Sequence, residues 1–126
     1  EARAADLPYV VVEGAVSRDR LVDLMVRHRY GFHGREYEHF GIAVAEMVAA
    51  GMLPFVHDSG GPPEIVGGSP HLRYGSEDDA LRKMEALLSN PACAERISKE
   101  LPNVAEQFGV DRFRREMITI VNERIA

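Results

Sequence analysis

Residues 38–51, EHFGIAVAEMVAAG, hold the pattern that decides the fold. Apolar side chains and one glycine fill positions 40–50 except at Glu46, and Gly51 stands where a helix C-terminal cap is expected. The pattern predicts a helix over residues 40–50 that is apolar on all sides and is therefore buried. Burial of the Glu46 carboxylate is unfavourable unless hydrogen bonds satisfy it. We therefore expect that the fold or a bound ligand supplies a partner for Glu46.

The bulk properties of the chain exclude several classes of protein. Its 126 residues allow at most one domain, and the net charge of -5 argues against nucleic-acid binding, which normally needs a basic patch. The single cysteine, Cys93, excludes an internal disulfide framework and fits a reducing compartment. No apolar run approaches the roughly 18 residues of a membrane span. We expect a cytoplasmic globular domain.

The order of apolar segments predicts an α/β fold. Strands are expected at residues 9–12 (YVVV), 30–33 (YGFH), 53–57 (LPFVH) and 71–74 (HLRY). Helices are expected after the N-cap Ser17, over residues 40–50 and 76–89, from Pro91 to an interruption at Pro102, and from Asp111 onward. This alternation is typical of a Rossmann-like parallel sheet with flanking helices. Ligands bind such sheets beyond the carboxyl ends of the strands, here the loops at residues 14–17, 34–39 and 58–64.

A resemblance to a known family starts from the same stretch. Glu38 and Glu46 are separated by seven residues (an EX7E motif), the helix ends in AAG, and DSGGPPEIV follows at residues 58–66. Together these segments resemble the retaining glycosyltransferases of the GT-B fold, family 4 (group 1), in their C-terminal donor-binding domain. The sub-pattern EHFGIAVAE is similar to mannosyltransferases that extend lipid-linked oligosaccharides. The resemblance covers most of the chain and implies that residues 1–126 are part of a nucleotide-sugar-binding domain.

The resemblance also implies roles for particular residues. Glu38 would be catalytic and touch the donor sugar, and Glu46 would hold the ribose hydroxyls. The remaining donor-binding residues would be His39, Phe40, Gly41, Ile42, Gly60, Gly61 and Glu64. Physical chemistry agrees with this arrangement, because a helix N-terminus attracts a diphosphate and Gly41 leaves room for its approach. Six residues of helix from Phe40 to Glu46 would span about 9 Å, which suits one carboxylate at each end of a sugar–diphosphate–ribose ligand.

The expected function is therefore transfer of a hexose, with mannose as a candidate, from a nucleoside-diphosphate sugar to an acceptor hydroxyl with retention. The acceptor would be a carbohydrate or a lipid-linked sugar. We expect no metal site, because no His, Cys and carboxylate set has ligand spacing, and no cofactor. Peripheral membrane association of the full protein and homo-oligomerisation of the fragment are the other expected associations.

Two alternatives stay open at the level of the sequence. The family's diphosphate-contacting Arg and Lys have no match here, and neither its first strands nor its acceptor domain is found. These absences favour a fragment that is inactive alone, or a non-catalytic nucleotide-sugar-binding or assembly module. A sugar-nucleotide epimerase shares the same architecture. A dinucleotide dehydrogenase is not favoured, since no GxGxxG follows a strand.

Overall fold

The computed structural model of the chain describes residues 6–125 and contains a three-stranded parallel sheet with helices packed against it. The strands are β1 (Tyr30–His33), β2 (Leu53–His57) and β3 (Arg73–Tyr74), in the spatial order β1-β2-β3. The helices are α1 (Arg18–Arg27), α2 (Ile42–Ala49), α3 (Pro62–Ile65), α4 (Glu77–Leu88), α5 (Pro91–Glu100), α6 (Val104–Phe108) and α7 (Val110–Ile125). The predicted α/β class is confirmed. Residues 1–5 and 126 of the predicted domain lie outside the described residues.

The central strand, β2, is buried over its first four residues. An apolar run without alternation is what a parallel strand covered on both faces requires. Proline is tolerated at position 54 because β3 pairs only with the end of β2, where the Val56 N–H donates to the Leu72 carbonyl at 2.8 Å. Pro54 precedes this pairing, so its missing N–H interrupts no ladder with β3.

The strand predicted at residues 9–12 is wrong. This segment has no regular secondary structure, and its side chains are exposed, with Tyr9 at 79% and Val11 at 81%. Strand-forming composition reflects packing against neighbouring strands, and none within residues 6–125 pairs with it. The described sheet therefore has three strands and not four, and the predicted strand at 71–74 shortens to β3.

The predicted helix at residues 40–50 forms as α2 but is not buried all round. Val44, Ala45 and Val48 are buried, whereas Ile42 is 68% exposed. The helix begins at residue 42 because Gly41, its N-cap, has a left-handed backbone with φ of 97°. One face of α2 packs on the sheet and on α3, and its other face is open in the described structure. The expectation of an apolar helix without a solvent face is therefore wrong.

The C-terminal helices begin and end close to their predicted positions. The Ser76 hydroxyl accepts a hydrogen bond from the Asp79 N–H at 3.2 Å, and Pro91 occupies the first turn of α5 after the cap Asn90. Helix α5 ends at Glu100, before Pro102. The last helix, α7, carries its apolar side chains on the surface and has no buried residue. Among residues 6–125, no helix is long and apolar enough to cross a membrane.

Candidate functional site

The loops that follow β1 and β2 meet at the carboxyl edge of the sheet. The first loop carries Glu38 to the start of α2, and the second carries Gly60 and Gly61 to the start of α3. The Gly61 N–H donates to the Glu38 carbonyl at 2.9 Å, so the two segments are joined through their backbones. Two motifs that are 22 residues apart in sequence, at Glu38 and Gly60, therefore form one surface.

Both glycines are required by this close approach. A Cβ atom on Gly60 would lie 2.0 Å from the Glu38 carbonyl oxygen, and one on Gly61 would lie 2.4 Å from the His39 carbonyl oxygen. Gly60 also has a φ of 70°, in the left-handed region that favours glycine. The pair is thus explained by packing against the Glu38 loop, and its predicted approach to a sugar donor stays a prediction.

The Glu38 carboxylate lies at the surface of this loop with a side-chain exposure of 23%. It accepts a hydrogen bond from the His39 N–H at 3.0 Å, and Arg35 lies 3.3 Å away across an ion pair. The His39 amide is therefore occupied by protein, although sequence reasoning assigned it to the donor. Glu38 keeps enough exposure to meet a ligand from the solvent side.

Glu46 is partly exposed, at 27% of its side chain, and is ion-paired with Arg18 of α1. The distance from Arg18 Nη1 to Glu46 Oε1 is 2.5 Å, and the arginine is itself 64% exposed. The prediction that Glu46 is buried is wrong, and of the two kinds of partner expected for it, fold or ligand, the fold supplies one in Arg18. The ribose assignment therefore loses its burial argument and rests on the resemblance of the motif.

The segment between the two glutamates has a packing role as well as the predicted ligand role. A Cβ atom on Gly41 would lie 3.0 Å from Pro62 Cγ, so this side of Gly41 faces α3 and not an open cleft. The Phe40 ring packs edge-on against Phe108 with centroids 5.1 Å apart. Ile42 opens α2, whose first-turn amides have no partner within the helix. Glu64 is exposed in the first turn of α3.

Sequence reasoning missed a group of residues that supports the Glu38 loop. Tyr37 has a φ of 53°, and its N–H donates to the Ser59 hydroxyl at 2.8 Å. Ser59 Oγ also lies 2.7 Å from His57 Nδ1. In the sequence, Ser59 is only a polar residue in a glycine-rich turn, and no local pattern links it to Tyr37.

The cavity beside α4 does not coincide with this loop surface. It has a volume of about 370 Å³, and its lining includes Phe32 and Tyr74, whose rings stack 5.3 Å apart. Its charged residues are Glu36 and Glu77, which disfavour a diphosphate, and neither Glu38 nor Glu46 lines it. Burial, with a smaller contribution from Glu36, raises the pKa of Tyr74. No group of three His, Cys, Asp or Glu side chains suited to a metal occurs in residues 6–125.

Comparison with known proteins identifies the family of the chain. The model of the family "Glycosyl transferases group 1" matches residues 2–104. The chain belongs to this family. Its predicted membership of the group 1 glycosyltransferases is therefore confirmed, and the enzymes of this family are transferases.

The chain is also similar to proteins named GDP-Man:Man(3)GlcNAc(2)-PP-Dol alpha-1,2-mannosyltransferase. The chain is 39% identical to that of Dictyostelium discoideum over 58 residues, which is 46% of the chain and 12% of that protein. It is 32% identical to that of Eremothecium gossypii over 85 residues, 63% of the chain and 14% of that protein. The chain thus spans less than a sixth of these relatives. No solved structure matches the chain.

In this glycosyl transferases group 1 member, the structure brings some of the predicted residues together. Glu38, His39, Gly60 and Gly61 share one loop surface, and Gly41 joins it to α3. Glu46 lies further along α2, toward α1, as its pairing with Arg18 shows. The roles of all these residues in donor binding stay predictions.

Proposed function

We propose that the protein containing this chain is a retaining glycosyltransferase, and that this chain binds its nucleoside-diphosphate-sugar donor. The observation that carries the proposal is the backbone junction between Glu38 and Gly61 next to the first turn of α2. It provides a carboxylate and the unpaired amides of a helix N-terminus on one surface. These are the groups that a sugar hydroxyl and a diphosphate require.

In the proposed complex, Glu38 accepts hydrogen bonds from the donor sugar near its anomeric carbon. The amides at the start of α2 stabilise the negative charge that develops on the leaving diphosphate. Arg35, 72% exposed and already next to Glu38, offers further N–H groups to the donor. No metal is required for this mechanism, so activity should survive removal of divalent cations by a chelator.

The ribose hydroxyls of the donor bind Glu46 in this proposal. Each carboxylate oxygen has two acceptor sites, and the described ion pair with Arg18 engages only Oε1. A ribose diol can therefore bind Glu46 while Arg18 stays paired with it, or can displace Arg18 from the carboxylate. Where Arg18 stays, its positive charge offsets the repulsion between this carboxylate and the diphosphate.

Replacement of Glu46 by alanine in the complete protein tests the ribose assignment. We expect nucleotide affinity to fall about 10- to 100-fold, because hydrogen bonds to a charged acceptor are lost. The matched control is Glu95→Ala, since Glu95 is also an exposed glutamate paired with an arginine, Arg29, at 3.3 Å. Unchanged nucleotide affinity in Glu46→Ala, or equal losses in both variants, would contradict the assignment.

The names of the relatives support a proposal for the donor and the acceptor. We propose that the donor is GDP-mannose and the acceptor a lipid-linked sugar, on the cytoplasmic surface of a membrane. Calorimetry with GDP-, UDP- and ADP-sugars tests the donor, and GDP-mannose should bind with the highest affinity. Analysis of the anomeric configuration of the product tests retention.

A non-catalytic nucleotide-sugar-binding module is the second candidate. Two observations favour it. Both site carboxylates are paired with arginines, and neither carboxylate lines the cavity beside α4. Transfer of labelled mannose by the complete protein, lost in Glu38→Gln, would exclude this candidate. Binding of the donor without transfer to any acceptor would support it.

A further inference from the structure

Tyr37 has an unusual backbone conformation for its residue type. Its φ of 53° is positive, and it is the one non-glycine residue among residues 6–125 with this property. The left-handed region costs a bulky L-residue roughly 1–2 kcal/mol. The Tyr37 side chain is 75% exposed, so burial of its ring does not offset this cost. Another contact must hold the backbone in place.

Ser59 supplies that contact from the neighbouring loop. Its hydroxyl oxygen accepts a hydrogen bond from the Tyr37 N–H at 2.8 Å. The Ser59 proton is then free to be donated to His57 Nδ1, 2.7 Å away, when the imidazole carries its proton on Nε2. His57 lies at the end of β2 with a side-chain exposure of only 16%. The hydroxyl is thus anchored to the sheet on one side and to Tyr37 on the other.

The Ser59 contact is the first of three between the loops. The next residue, Gly60, packs against the backbone of Glu38, and Gly61 follows with its N–H donated to the Glu38 carbonyl. Both glycine contacts involve backbone atoms alone and lie at the main chain of Glu38. Of these three residues, Ser59 alone makes its contact through a side chain. That contact is with Tyr37, the residue that precedes Glu38.

We infer that Ser59 is a positioning residue that holds Tyr37 in its left-handed conformation and thereby directs the Glu38 carboxylate toward the donor sugar. The inference rests on the proposed function of Glu38. Tyr37 and Glu38 share a planar peptide bond, so a change in the Tyr37 backbone dihedrals rotates the direction in which Glu38 leaves the loop. Ser59 itself does not touch the substrate in this arrangement.

Hydrogen exchange at the Tyr37 amide in the complete protein tests the contact directly. In Ser59→Ala, we expect this amide to exchange about tenfold faster, as the loss of one hydrogen bond implies. The matched control is Ser69→Ala, because Ser69 is partly buried in the loop after α3 and has no bond to Tyr37. Unchanged exchange in Ser59→Ala would overturn the inference whatever the activity of the protein.

Steady-state kinetics test the consequence for Glu38. We expect kcat of Ser59→Ala to fall about tenfold, because a misplaced carboxylate reduces the rate of the reaction step, while the dissociation constant for the nucleotide and the melting temperature stay near their wild-type values. A loss of nucleotide affinity in proportion to kcat would indicate general disruption of the domain and overturn the positioning role.

A double-mutant comparison separates positioning from a general packing effect. Asparagine tolerates the left-handed region better than tyrosine, so Tyr37→Asn should reduce the need for the Ser59 contact. We expect Ser59→Ala to lower kcat less in the Tyr37→Asn background than in the wild type. An equal loss in both backgrounds would overturn the inference.

Amide exchange and sugar transfer, measured together, distinguish a failure of this inference from a failure of the proposed function. If the wild-type protein transfers sugar and Ser59→Ala changes neither amide exchange nor kcat, the positioning role is wrong and the transferase proposal stands. If the wild-type protein transfers no sugar although the Tyr37 amide is protected by Ser59, the contact is correct and the role assigned to Glu38 fails.

Discussion

At the scale of single residues, the candidate site depends on where side chains are missing. Gly60 and Gly61 allow the two loops to touch through their backbones at Glu38. The charged residues are less constrained. Glu38 and Glu46 are both partly exposed, and each has an arginine within ion-pair distance. Exposed pairs of this kind contribute little to stability, which leaves the carboxylates available to a ligand.

We predict that Gly60→Ala is far more damaging than Gly68→Ala. Both glycines have a positive φ, 70° and 68°, so alanine pays the same backbone cost of about 1 kcal/mol at either position. At Gly60 the new Cβ collides with the Glu38 carbonyl, whereas nothing lies within 4 Å of a Cβ at Gly68.

Urea unfolding of the two variants provides the measurement. The free energy of unfolding should fall by at least about 1 kcal/mol more in Gly60→Ala than in Gly68→Ala. Transfer activity should be lost in Gly60→Ala and retained in Gly68→Ala. Equal destabilisation would show that the two loops do not meet at this glycine.

At the scale of elements, local sequence signals set the ends of the helices, and neighbours decide whether a strand forms. Ser76, Asn90 and Asn103 each cap the N-terminus of a helix through a side-chain oxygen. Asp79 adds to the first of these caps by accepting the Gly75 N–H at 3.1 Å, and this hydrogen bond lowers the pKa of its carboxyl. By contrast, the YVVV segment has strong strand propensity and no described partner.

We predict that Ser76→Ala lowers the free energy of unfolding by about 1 kcal/mol, because the Asp79 N–H loses its acceptor. Ser89→Ala is the matched control, since Ser89 ends the same helix and contributes through its backbone. Thermal or urea unfolding should leave Ser89→Ala within a few tenths of a kcal/mol of wild type. If the two variants have the same free energy of unfolding, the Ser76 hydroxyl does not stabilise α4.

At the scale of the whole molecule, the described chain leaves much apolar surface uncovered. The longest helix, α7, exposes Phe113 at 64% and Ile118 at 60%, and none of its residues is buried. The outer face of α2 and the YVVV segment add to this surface. Apolar side chains exposed together on one helix are typical of an interface.

We predict that the chain expressed alone self-associates as its concentration rises, because association removes the α7 face from water. Phe113→Glu should reduce this association by placing a charge in the apolar face. Thr119→Glu introduces the same charge on the side of α7 where the Thr119 hydroxyl bonds the Arg115 carbonyl, and should have little effect. Sedimentation equilibrium measures both, and a wild-type chain that stays monomeric would contradict the prediction.

The sequence by itself determined the α/β class, three of the four predicted strands, the N-caps Ser17 and Ser76 and the family, because apolar patterning and short motifs are properties of neighbouring residues. Only the tertiary structure decided that YVVV forms no strand here, since pairing depends on a neighbouring strand that the sequence of the segment does not specify. It also decided that Glu46 is paired with Arg18 and not buried, and that Ser59 holds Tyr37. Such contacts join residues more than 20 positions apart, and the sequence contains no local signal for them.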